Sequence, residues 1–294
     1  MSQTSAAKSC PPPDPNPSKP LNRLPVGAWD AHCHVFGPAA KFPYSAGRSY
    51  TPEDAPFERL RALHAHLGFT RAVIVHASCH GIDHRVTLDA IARSGGAYRG
   101  VANGEAELSD AALAELHAGG MRGLRFNFVK HLGGVPDVTV LTRMAKRIAA
   151  LGWHLELHLD AQDLVEQAEL IRSIEIPFVI DHMGRAKASA GLNQKPFQML
   201  LALMRENPLA WVKISGPERV SGVRPFRDAV PFARALVEAA PDRILWGTDW
   251  PHPNISQDMP NDGALVDLFF EAVPDAALRN KIVIDNPARL YAFD

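Results

Sequence analysis

The sequence predicts an α/β fold: a distorted (β/α)8 barrel of the TIM type with a helical C-terminal tail. Two observations carry the prediction. From Trp29 onward, eight short apolar runs alternate with amphipathic segments, and strands that alternate with helices pair in parallel through crossovers. The competing open, doubly wound sheet would set a glycine-rich phosphate loop after its first strand. This chain sets His32-Cys33-His34 there. At 294 residues the chain has about the length of one such barrel.

In order, residues 1–25 form a tail whose core, Cys10-Pro11-Pro12-Pro13-Asp14-Pro15-Asn16-Pro17, cannot be a regular helix or a central strand. The tail is expected to be flexible or to hug the surface, and residues 26–294 to be a single domain. The first strand is expected over 26–34, followed by a long polar loop through Gly37, Tyr44 and Tyr50. Phe57, Leu60, Leu63 and Leu67 recur at helical spacing and stop at Gly68. His64 and His66 in that helix are expected near the surface with no chemical role. Further strands are expected over 72–78, 99–102, 123–128, 153–158, 178–182, 211–215 and 243–249. Helices are expected between them over 86–92, 111–117, 141–151, 164–171, 197–205 and 226–238, with terminal helices closing the chain.

Composition bounds the function. The chain is 46% hydrophobic and 21% charged, with a formal net charge of −1. A nucleic-acid or membrane-surface partner calls for a basic face. No apolar run reaches membrane-spanning length. The start lacks a basic segment followed by an apolar core, and the three cysteines make no C-x-x-C pair; both fit a reducing, cytoplasmic setting.

Active sites of such barrels lie at the C-terminal ends of the strands, and here those ends concentrate polar groups. In an extended chain the side chains at i and i+2 share a face, so His32 and His34 project together while Cys33 faces away. Two imidazoles on one strand end can clamp a divalent metal or polarise a carbonyl oxygen. Later ends supply Ser78, Cys79 and His80; Arg125 and Asn127 with His131; His158 and Asp160; His182 and Arg185; Ser215, Glu218 and Arg219; and Asp249, His252 and Asn254. Several residues carry plainer readings: Cys33 and Cys79 as small packing groups, Glu156 facing outward to the helices, Asp181 orienting its neighbour or capping a turn. Serine catalysis at Ser78 or Ser215 lacks a G-x-S-x-G elbow.

Asp30-Ala31-His32-Cys33-His34, Ile180-Asp181-His182-Met183-Gly184 and Trp246-Gly247-Thr248-Asp249-Trp250-Pro251-His252-Pro253-Asn254 together resemble the amidohydrolase superfamily. More narrowly the chain looks like the 2-pyrone-4,6-dicarboxylate lactonase group, through Ala77-Ser78-Cys79-His80-Gly81 and Gly123-Leu124-Arg125-Phe126-Asn127-Phe128. The resemblance implies hydrolysis of a small anionic lactone in aromatic-compound degradation. It assigns Asp249 as general base, with His32, His34 and His182 acting on the lactone carbonyl. It implies substrate contacts from Tyr50, Ser78, Arg125, Arg219 and Asn254. Two positions depart from the group: His131 stands where it has an arginine, and His158 where it has a tyrosine. His131 weakens the grip on one carboxylate and opens the way to a muconolactone or sulfomuconolactone. His158 completes a possible ligand set of His32, His34, His158, His182 and Asp249, so the resemblance allows either no metal or one Zn²⁺ or Mn²⁺. A metal-dependent decarboxylase, a sugar-acid lactonase and a non-catalytic binder are the other readings. Residues 37–56 are the expected lid.

Overall fold

The structure is a computed structural model that describes residues 7–104 and 107–292. Eight parallel strands follow one another around a barrel in chain order. They are β1 (Trp29–Cys33), β2 (Arg71–Val75), β3 (Tyr98–Asn103), β4 (Met121–Asn127), β5 (His154–His158), β6 (Phe178–Ile180), β7 (Ala210–Lys213) and β8 (Ile244–Leu245). Each neighbouring pair from β1 to β8 carries a parallel ladder. Helices pack outside, and a helical tail, including Asp262–Ala272 and Asn286–Leu290, closes the chain.

β1 and β8 close the barrel without a ladder of their own. Ala31 N–H donates to the Trp246 carbonyl at 3.0 Å, Asp249 N–H to that of His32 at 2.8 Å, and His34 N–H to that of Trp250 at 2.8 Å. Asp30 staples this seam. Its buried carboxylate accepts from the Thr248 hydroxyl (2.6 Å) and from the Thr248 and His32 backbone N–H groups (3.0 and 3.1 Å). Gly247 is needed here, because a Cβ would lie 2.3 Å from the His32 nitrogen. The stapled seam sets His32 and Asp249 side by side.

Several expectations are corrected. Val26 is 95% exposed and lies outside the first strand. β2 ends at Val75, and Ser78–His80 is a 3₁₀ turn. β8 is two residues long; Arg243 before it ends a 3₁₀ turn and residues 246–249 after it are loop. The helix expected over 164–171 is two short ones, Asp163–Glu166 and Ala168–Arg172. His64 is buried, its ring nitrogens 3.1 Å from Asp30 Oδ2 and 2.6 Å from the Tyr98 hydroxyl. It supports the same staple, whereas His66 lies on the surface. Glu156 points into the barrel and is fully buried, because it shares the face of His154 and His158 on β5.

The proline-rich stretch follows the surface. Lys8–Ser9 pairs with Tyr50–Thr51, Ser18 bonds to Asn261, and Leu21 and Asn22 bond to Asp267. No helix among the described residues is long and apolar enough to cross a membrane.

Candidate active site

β1 delivers His32, the residue just past its end is His34, and the loop after β8 delivers Asp249. The short turn after β6, His182–Arg185, delivers His182. Three imidazoles converge on a single carboxylate oxygen. Nε2 of His34, His32 and His182 lies 3.2, 3.6 and 3.9 Å from Asp249 Oδ1. All four residues are buried. The other oxygen, Oδ2, accepts two N–H groups of Arg219, from Nε at 3.0 Å and Nη2 at 2.7 Å. Burial alone would raise Asp249, but Arg219 first, then His182, His34 and His32, outweigh it and hold the carboxyl well below the usual range. Burial lowers His32, His182 and His158 well below an ordinary imidazole.

Left-handed backbone at non-glycine residues gathers here: His182, Met183, Arg185, Asp249, His252 and Asn254 have φ between 49° and 65°. Such strain persists where surrounding structure over-determines it, as at binding and catalytic sites.

A cavity opens above these groups. His34, Tyr50, Ser78, Arg125, His131, His158, His182, Arg219, Asp249 and Asn254 all line it. His32 lies just beneath, at 0% exposure. Arg125 spends Nε on Asp181 at 2.9 Å and borders the cavity. Tyr50 bonds to Ser78, and burial pushes its phenol well up, so it remains a neutral donor. His158 Nδ1 lies 3.0 Å from Asn127 Oδ1. His131 sits at the rim, its pKa lowered by partial burial and then by Arg185. Burial also raises Cys33 and Cys79 far from thiolate. Ser215 is within 3.0 Å of His182 Nδ1 and is fully buried behind that ring.

Three neighbours of the site carry no assigned site role in the sequence. Arg185, one of the strand-end groups, lines the cavity and is tied to Asp160 at 2.8 Å; it stands three residues after His182. Lys213 and Asp181 lie behind His32, with Nζ 3.0 Å and Oδ1 3.4 Å from its Nδ1.

Three of these donors approach a metal-ligand arrangement. His32, His34 and Asp249 offer three atoms within 4.8 Å of one another. A tetrahedral ion with bonds of about 2.0–2.1 Å spaces its donors by roughly 3.3–3.4 Å, close to what is seen. His34 also bonds through Nδ1 to the Val75 carbonyl at 2.7 Å, an outer-shell contact that metal-bound imidazoles make. His158 belongs to none of the three-donor groups among the described residues. Arg219 takes only Asp249 Oδ2 and leaves Oδ1 untouched, but one contact opposes a metal at this set. The Lys213 ammonium faces His32 Nδ1, and since it can only donate, the proton of that ring is left on Nε2. The residues present therefore do not fit an ion bound through His32.

Comparison with known proteins agrees with this geometry. The amidohydrolase family model matches residues 29–293, nearly the whole chain. The chain belongs to the amidohydrolase family. Within it, the chain is 49% identical to a 2-pyrone-4,6-dicarboxylate hydrolase of Comamonas testosteroni, covering 94% of this chain and 93% of that one. It is 44% identical to a 4-sulfomuconolactone hydrolase of Rhizobium radiobacter, covering 91% of each. A solved structure of a Pseudomonas putida protein described as a putative 2-pyrone-4,6-dicarboxylic acid hydrolase superposes with a TM-score of 0.79 at 33% identity, covering 92% of this chain and 99% of that one. As an amidohydrolase-family barrel, the protein carries its polar cluster at the strand ends where this architecture places chemistry.

Proposed function

We propose that the protein opens the ring ester of a small anionic lactone, 2-pyrone-4,6-dicarboxylate or a close analogue, by adding water. The observation that carries this reading is the convergence of three imidazoles on Asp249 Oδ1 in a cavity bordered by Arg125, Arg185 and Arg219. In this reading the guanidinium groups hold the substrate's acid groups by charge-assisted hydrogen bonds. His32 and His182 face the ring carbonyl and stabilise the oxyanion that develops on it; His34, whose Nδ1 donates to the Val75 carbonyl, joins them as a donor when its Nε2 also carries a proton. Asp249 takes a proton from the attacking water through Oδ1 and passes it to the ring oxygen as the ester bond breaks. No step runs through a metal.

His131 in place of an arginine does not leave the cavity short of positive charge, because Arg185 lines the same cavity. The dicarboxylate is therefore the leading substrate. The 44% identical relative named for 4-sulfomuconolactone supports that lactone as the second reading. A spectrophotometric assay of ring opening on both acids, with metal analysis of the same sample, tests the proposal. Turnover of neither, or release of CO₂ in place of simple ring opening, rejects it.

Arg125→Met is expected to raise KM for the anionic substrate by about 10–100-fold with a smaller change in kcat, since a hydrogen bond to a charged group contributes roughly 1.5–3 kcal/mol. An unchanged KM would place the acid group elsewhere. Arg219→Met removes the main cation that lowers Asp249. A base works only when deprotonated, so activity falls as pH drops through its pKa. Without Arg219 that pKa is higher, and the acid limb of kcat/KM should move to higher pH. A limb that stays in place would mean that another group titrates there.

A further inference from the structure

Behind His32 the barrel interior is polar. Lys213 has no exposed surface, and its Nζ lies 2.5 Å from Glu156 Oε1, 3.0 Å from His32 Nδ1 and 3.5 Å from Asp181 Oδ1. An ammonium has three N–H donors and no lone pair, and here it faces three acceptors. At this distance the ring nitrogen can only accept. A neutral imidazole carries one donor and one acceptor, so the proton of His32 is on Nε2. That nitrogen is buried, makes no hydrogen bond within the protein, and lies 3.6 Å from Asp249 Oδ1. Glu156 anchors the arrangement from below: the Tyr291 hydroxyl donates to its Oε1 at 3.2 Å, and His154 Nε2 lies 3.5 Å away. Burial would raise Glu156, but Lys213 outweighs it and brings the carboxyl down to about 2, so the anchor stays ionised.

We propose that Lys213, held by Glu156, is a positioning residue that locks His32 in its Nε2–H tautomer, so that this histidine presents a hydrogen-bond donor, and no lone pair, to the substrate carbonyl. The inference rests on the proposed lactone hydrolysis for the identity of what His32 meets. The tautomer itself does not depend on it. Without the lysine, Nδ1 would be free to donate to Asp181 Oδ1, 3.4 Å away, and the ring would turn its lone pair toward the developing oxyanion, where it repels.

The test is ring-¹⁵N histidine NMR of the full-length protein, with the His32 signals assigned by their loss in His32→Asn. The wild type should show Nε2 protonated and Nδ1 unprotonated. The double variant Lys213→Met/Glu156→Met removes both buried charges together, so neither is stranded. It should show the proton moved to Nδ1 and lose about 10²-fold in kcat, the scale of one lost oxyanion donor, with KM changed by less than about threefold. A wild-type His32 protonated on Nδ1, or on both nitrogens, overturns the proposal whether or not the variant folds. So does a variant in which the tautomer has switched but kcat stays at the wild-type value. If the wild type opens neither lactone, the functional reading fails while the NMR result still decides the tautomer.

Discussion

Asp249→Asn is expected to lower kcat by about 10²–10⁴-fold, the usual contribution of a positioned acid–base group, while KM changes little. The substitution keeps the shape of the side chain, and its amide oxygen can still accept from Arg219, which now bonds Oδ2 at 2.7 and 3.0 Å. What it loses is the capacity to take a proton at Oδ1, the oxygen on which the three imidazoles converge. The loss should appear at every pH, because no titration restores a base to an amide. Steady-state assays beside a thermal melt check the result. Activity within about tenfold of wild type in a folded variant would remove Asp249 as the base.

Glu156→Gln should be the most destabilising single substitution in the barrel interior, costing about 3 kcal/mol or more, because removing one partner of a buried pair strands the other charge. Among the described residues Asp181, at 3.5 Å, would be left as the carboxylate partner of Lys213, beside the neutral acceptor His32 Nδ1 at 3.0 Å. The Glu156→Met/Lys213→Met pair should recover most of that loss, since replacing both partners by apolar groups of similar volume is often near neutral. Urea unfolding of the three proteins measures the difference, and a loss below about 1 kcal/mol for Glu156→Gln would show that Asp181 suffices as a partner. The pH dependence has a definite sign. Folded Glu156 titrates at about 2, below its ordinary 4.5. Its contribution is therefore complete above about pH 4.5 and fades as pH falls toward 2.

Much of the architecture was legible in the chain. The eightfold alternation of apolar runs and amphipathic segments identified the barrel, because burying both faces of a parallel strand and one face of each helix leaves that imprint. The strand-end histidines, arginines and Asp249 were legible for a related reason: the architecture admits polar side chains at one end of its strands. The i, i+2 rule also held more than was drawn from it. If His158 faces inward, so does Glu156, and Lys213 stands in the same relation to Ser215. The outward reading of Glu156 fails, although a lone carboxylate is costly inside a barrel. The lysine that makes it tolerable lies 57 residues away.

Sequence by itself determined which residues could do chemistry and at which end of the barrel they would gather, since hydrophobic period and strand parity are local properties. Only the tertiary structure decided how those residues divide their bonds. Arg219 takes one oxygen of Asp249 while the histidines face the other, Asp30 sews the first strand to the last, and Lys213 takes the inner nitrogen of His32. Hydrogen-bond direction depends on partners brought from distant strands to within about 3 Å, and no spacing along the chain records which partner arrives.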